Sequence, residues 1–297
     1  MLPLYYHPIY TEGIHPSARF PRDRYRLLAE RLEGNPAIEI RSPRRAMRDE
    51  LALAHDTDYI DAFLGGQLSE KEVRRIGLKP WTPAIVERTQ RIAGGSLQAL
   101  EQVLETGGIA GNMAGGTHHA YRNFGSGYCI FNDVAICAFA ALQRPEIKRV
   151  LSLDLDVHQG DGTASILAHE PGVFTCSIHA QSNFPFRKQK SDLDVGLEDN
   201  IGDDAYMSCL EKTLKQIQPD RFDLILFQAG VDTLEVDALG NLCLSHEGLR
   251  RRNRRALELN ERNHTPLVIL MGGGYAKPIA RTIDAFEDLF TTAAQYC

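Results

Sequence analysis

The sequence predicts an α/β fold, one domain built on a central, mostly parallel sheet flanked by helices. Three observations predict it. Short apolar runs alternate with helix-period segments along the chain, a rhythm that favours a parallel sheet covered on both faces. The apolar runs end in polar or glycine residues, in DVHQGDG, SIHAQS, QAGVDT and MGGGY. Neither a repeat, a low-complexity tract nor a linker interrupts the 297 residues, so residues 1–297 read as a single domain. A chain of this length can bury a substantial core.

The elements follow in order. Residues 22–32 place apolar side chains near a 3.6 spacing and form the first helical candidate. Residues 68–80 are polar and poorly patterned, and read as a surface loop. A long helix is expected over 83–105, with Thr82 as its N-cap and Pro83 at its first position. The clearest strands are 149–157 (RVLSLDLDV), 173–178 (VFTCSI), 223–228 (DLILFQ) and 266–271 (PLVILM). Further helices are expected over 205–217, 247–262 and 278–290. Arg250, Arg251, Arg252, Arg254 and Arg255 make the one basic cluster, which reads as the solvated face of a helix.

Composition excludes several function classes. The net charge of −6 argues against nonspecific nucleic-acid binding, because neutralising phosphates needs a basic surface. Six cysteines without a C-x-x-C pair fit reduced thiols better than a disulfide framework. The opening MLPLYYHPIYTEG has no basic leader or apolar run of a signal peptide. Nothing approaches the ~18 apolar residues of a membrane span. A soluble, cytoplasmic protein is expected, with its oligomeric state open.

Chemistry concentrates at the strand exits, where open parallel sheets bind ligands. In LSLDLDVHQGDG, alternation sets Ser152, Asp154, Asp156 and His158 on one face. Strands of a parallel sheet are normally apolar on both faces, and burying two carboxylates beside a histidine costs several kcal/mol without compensation. A divalent metal supplies that compensation, and Asp and His suit zinc. Asp232, in QAGVDT, lies just past another strand at the same rim; by itself it is a commonplace loop aspartate. His118 and His119, adjacent in GGTHHA, suit proton transfer near neutral pH, although a second metal site or two packed histidines would look the same. Asp154 and Asp161 are natural partners for these imidazoles, fixing tautomer and raising basicity. In VILMGGGYA the glycines lack a phosphate-binding pattern, so the turn either aims the Tyr275 phenol at a developing oxyanion or simply packs it.

Together these elements resemble the histone deacetylase family, within the arginase/deacetylase superfamily. GGTHHA, GSGYCIFND, DLDVHQGDG, QAGVDTLEVDALGNL and MGGGY carry the resemblance, in that order. The segment DTLEVDALGNLCLS looks most like the class IV branch and bacterial deacetylase-like amidohydrolases. The resemblance implies the arginase/deacetylase fold with about eight strands, and hydrolysis of N-acyl-lysine or related acylated amines. It implies zinc at Asp156, His158 and Asp232, with ferrous iron the alternative ion. It implies His119 as general base and then acid, His118 as electrostatic support, Asp154 and Asp161 as orienters, and Tyr275 as the group polarising the acyl carbonyl. A structural potassium is implied near Asp154, with oxygens of Asp156, His158, Ser177 and Ile178. Gly127, Tyr128 and Phe184 correspond to the substrate-tunnel wall, and Arg22 or Arg24 to the exit channel for acetate.

Several positions depart from the family pattern. Thr117 stands where other members often carry a bulky aromatic, and the acidic rim residue that grips a peptide backbone has no clear counterpart. Leu239 occupies the place where polyamine-specific relatives carry a glutamate. An arginase-like binuclear enzyme would need an aspartate at Gly160, and a non-catalytic acyl-lysine binder would not need His119 and Tyr275.

Overall fold

A computed structural model describes residues 1–218 and 221–297, with the backbone alone at 262 and 263. Eight strands form one sheet: β1 (Leu2–Tyr5), β2 (Ile38–Arg41), β3 (Ile109–Asn112), β4 (Val150–Asp154), β5 (Val173–Ala180), β6 (Leu193–Leu197), β7 (Leu224–Gln228) and β8 (Leu267–Leu270). Their spatial order is β2-β1-β3-β8-β7-β4-β5-β6, and every pairing is parallel. The physics of such a sheet shows in its burial. Every residue of β4, β7 and β8 is buried, whereas the edge strands β2 and β6 are partly exposed.

The helices are α1 (Ile9–Glu12), α2 (Arg24–Leu32), α3 (Arg48–Leu51), α4 (Thr57–Leu64), α5 (Glu70–Ile76), α6 (Ile85–Thr106), α7 (Asp133–Leu142), α8 (Asp161–Leu167), α9 (Asp203–Ile217), α10 (His246–Asn263) and α11 (Ala280–Ala293). Long α6 lies on β1, β3 and β8, α7 on β4 and β7, and α8 on β5. In a second row, α2, α11, α10 and α9 pack in succession.

Three expectations need correction here. Residues 68–80 contain a helix, α5, because Ser69 and Glu72 form a reciprocal capping box and Gly77 closes it in the left-handed conformation. Thr82 does not cap α6, which starts at Ile85 after Ala84; its hydroxyl instead donates to the Gly13 carbonyl at 2.8 Å. The arginine cluster on α10 is not wholly solvated. Arg252 is 0% exposed, the largest fully buried side chain of the described residues.

Candidate active site

The exit of β4 builds the centre. The alternation read from sequence stops at Asp154, where the chain curls out of the strand. Asp154 Oδ1 accepts the Asp156 N–H at 3.1 Å and Asp156 Oδ1 accepts the His158 N–H at 3.0 Å. Each carboxylate thus binds the backbone two residues on, so the D-x-D-x-H spacing is itself a pair of turns. Asp232 follows β7 and comes alongside, its Oδ1 accepting from Val157 N at 3.0 Å.

Asp156, His158 and Asp232 offer ligand atoms that all lie within 4.8 Å of one another. His158 Nδ1 sits 2.9 Å from Asp156 Oδ1 and 3.3 Å from Asp232 Oδ2. Asp232 Oδ2 is buried and accepts no hydrogen bond among the described residues. An orphaned carboxylate oxygen in a dry site wants a cation, so the donor set fits a divalent metal. Burial opposes charge on His158, yet the two carboxylates outweigh it and push its pKa up to about 10. Positive charge belongs at this spot.

The two histidines are wired separately. His118 Nδ1 lies 2.7 Å from Asp154 Oδ2, and His119 Nδ1 lies 2.6 Å from Asp161 Oδ1. Tyr121 donates to the other Asp161 oxygen at 2.9 Å. Their pKa values part in opposite directions. For His118 burial lowers it, but Asp154 and Asp156 overcome burial and raise it to about 9. For His119 burial and the His118 charge lower it to about 4. The two pKa values thus part to either side of neutrality, which is the split that acid–base pairs use.

A family model for the histone deacetylase domain matches residues 18–288. The chain belongs to the histone deacetylase family. Its members are deacetylase hydrolases, and the eight-stranded parallel sheet agrees with the arginase/deacetylase fold. This family member is 44% identical over 284 residues to an uncharacterized protein of Picosynechococcus sp., covering 93% of each chain. It is 31% identical to histone deacetylase 8 of Xenopus laevis, over 80% of this chain and 77% of that one. Its identity to acetoin utilization protein AcuC of Bacillus subtilis is also 31%, over 80% of this chain and 67% of AcuC.

In this deacetylase-family chain a cavity of about 630 Å³ runs over Asp156, His158 and the two adjacent histidines. Gly127, Tyr128, Phe184, Leu239 and Tyr275 all line it. Phe184 stands edge-on to His119 with ring centres 4.9 Å apart. Tyr128 holds a φ of 67°, uncommon for a non-glycine residue. Leu239 is 43% exposed at the mouth. The glycine run before Tyr275 is required by close approach, since a Cβ on Gly273 would lie 1.9 Å from Asp232 Oδ2. Burial raises the Tyr275 pKa well above its ordinary value, so the phenol keeps its proton.

Sequence reasoning missed several supporting residues. Asp133, 1% exposed, accepts from Gly116 N and Thr117 N and so anchors the loop leading to His118. Gln228 donates to Asp156 Oδ2 at 2.9 Å, as does the Gly273 N–H. Arg252 reaches from α10 to the carbonyls of Leu155, Ala229 and Gly230 at 2.9, 3.2 and 2.7 Å. It thereby ties down the segments before Asp156 and Asp232. QAG and DVH signalled the loops, but nothing in an arginine-rich helix signals which arginine turns inward. Of the two arginines left open from sequence, Arg24 lines the cavity and donates to Gly272 and Gly274 carbonyls. Arg22 instead binds the Ile14 carbonyl.

Proposed function

We propose that this chain is a zinc-dependent amidohydrolase that removes acyl groups from acyl-lysine, in peptide or protein, or from a related acylated amine. The observation that carries this reading is the orphaned Asp232 Oδ2, facing Asp156 and His158 beside two carboxylate-backed histidines. Asp156, His158 and Asp232 would hold the ion, zinc or alternatively ferrous iron. When bound there, it would supply Lewis acidity toward the acyl oxygen and lower the pKa of water.

The protein's own groups do the rest. His119 is neutral, and Asp161 on Nδ1 leaves Nε2 free to take a proton from the attacking water. The same nitrogen then returns that proton to the leaving amine. His118 stays positively charged and favours negative charge growing nearby; a dication on Asp156 would weaken part of the pull that keeps it protonated. Tyr275 donates its phenolic proton in a hydrogen bond to the acyl oxygen. Gly127, Tyr128, Phe184 and Leu239 form the tunnel wall in this reading. Arg24 faces the departing carboxylate, its Nε buried without a partner.

A structural potassium belongs to the same reading, near Asp154 with oxygens of Asp156, His158, Ser177 and Ile178. The register that sets Asp154 beside Ser177 supports it. Gly160 supports one catalytic ion rather than two. The test is metal analysis paired with an acyl-chain panel on lysine peptides and polyamines. One zinc per chain, with acyl release lost on chelation and restored by zinc, is expected. Two transition-metal ions per chain would favour an arginase-like enzyme, and no release from any substrate would favour a binder.

A further inference from the structure

We propose that the cavity mouth selects substrates carrying a negative charge on the amine side of the scissile bond, with Arg75 reading that charge. The inference rests on the deacylase reading of the floor and concerns only which amine leaves. Arg75 is exposed and lines the cavity, with its guanidinium 4.4 Å from the centre of the Phe124 ring. Among the described residues it forms no ion pair; the carboxylate one turn away, Glu72, accepts the Ser69 hydroxyl and N–H and feels Arg75 only at longer range.

Asn183, Phe184 and Phe186 line the cavity from the loop over 182–190. That loop also carries Arg187, Lys188 and Lys190, none ion-paired among the described residues. Lys188 Nζ donates to the carbonyls of Asn183 and Pro185 at 2.6 and 2.8 Å, which folds its charge back onto its own loop.

The nearby carboxylates are largely committed. Asp237 accepts the N–H groups of Tyr275, Leu239 and Gly240, and Asp199 accepts from Ser182. Among the described residues the only carboxylate lining the cavity is Asp156, on the floor. A chain of net charge −6 therefore presents one exposed arginine, Arg75, at this cavity, with three further cations on the loop that supplies part of its lining.

Low-dielectric aromatic walls focus such a field, and an arginine fork matches a carboxylate. A polyamine or a lysine-rich tail meets like charge there. The α-carboxylate of free Nε-acyl-lysine, or an acidic side chain flanking acyl-lysine in a peptide, meets its complement.

The test compares kcat/KM of the zinc-loaded protein on five substrates. These are Nε-acetyl-lysine, its carboxamide, N-acetylputrescine, and acetyl-lysine peptides flanked by Glu or by Lys. Members that carry a carboxylate beside the acyl-lysine should lead those that carry only positive charge by roughly tenfold at low salt, chiefly through KM. The lead should shrink at roughly 0.5 M salt, where the screening length is only a few ångströms. Arg75→Glu should reverse the order, and so should the exposed pair Arg187→Glu with Lys190→Glu.

Free acetyl-lysine in front would identify a small-molecule source, and the Glu-flanked peptide in front an acidic protein segment; either supports the proposal. Equal or faster turnover of the cationic members, or an order blind to charge reversal, overturns it. Should no member be hydrolysed, the deacylase reading fails by itself. Calorimetry of lysine against lysinamide then decides the charge preference, with equal or weaker binding of lysine overturning it.

Discussion

The floor and the mouth of one cavity are built on different physics. At the floor, Asp154, Asp156, Asp161 and Asp232 are each 4% exposed or less, and each accepts a hydrogen bond from backbone or side chain. At the mouth, Phe186 is 87% exposed and Leu239 43%, and these two stand on loops. A buried charge must be partnered or it is too costly to keep, so chemistry is locked in place where water is excluded. A solvated rim carries no such demand, and its residues are free to define the substrate.

The sharpest break in that contrast is at the floor. Asp232→Ala should lose both the metal and activity, with zinc content measured on purified protein. His119→Ala should keep zinc while kcat falls about 10²- to 10⁴-fold, the usual range for a general base. Wild-type turnover in the histidine variant would remove His119 from its role. Beneath the ligands, Arg252→Met should weaken zinc binding by about 10- to 100-fold, the range for partners behind metal ligands. Chelator competition would read it, and Arg252→Lys should recover part of the affinity. An unchanged zinc affinity would show that the arginine only fills space.

A smaller effect tests the buried packing behind the floor, where Tyr121 backs Asp161. His55 is 2% exposed and bridges the Tyr121 carbonyl, at 3.0 Å from Nδ1, and the Asn132 N–H, which donates to Nε2 at 2.8 Å. Burial lowers its pKa to about 4, against about 6.5 unfolded. Between those values the unfolded chain binds a proton that the folded chain refuses. The stability is therefore fully present above about pH 6.5 and is lost as pH falls toward 4, at about 1.4 kcal/mol per pH unit and about 3 kcal/mol in all. Denaturation midpoints across pH 4–7 should show His55→Gln lacking that part of the acid slope. Parallel curves for both proteins would sink the assignment.

What could be read before folding follows from local periodicity and turn chemistry. Strands β4, β5, β7 and β8 announced themselves because burial on both faces demands apolar runs, and their polar ends marked one rim; buried β1 and β3 did not, each being four residues long and interrupted by Pro3 or by Gly111 and Asn112. DLDVHQGDG was legible because buried carboxylates at that density need a cation, and its spacing also forms the turns. The α5 helix was legible too, in the S-x-x-E of Ser69 and Glu72, but the weak apolar pattern hid it. Edge strands β2 and β6 were missed because partial exposure removes the continuous apolar signal.

Sequence by itself therefore determined the fold class and the residue types of the centre. Only the tertiary structure decided which partners they take. His118 meets Asp154 and His119 meets Asp161 across separations of 36 and 42 residues, and Arg252 leaves its solvated neighbours to reach a carbonyl 97 residues away. Local sequence sets periodicity and turns, whereas such pairings are set by where the strand ends converge. Buried donors and acceptors must then be satisfied by whatever the fold brings within reach.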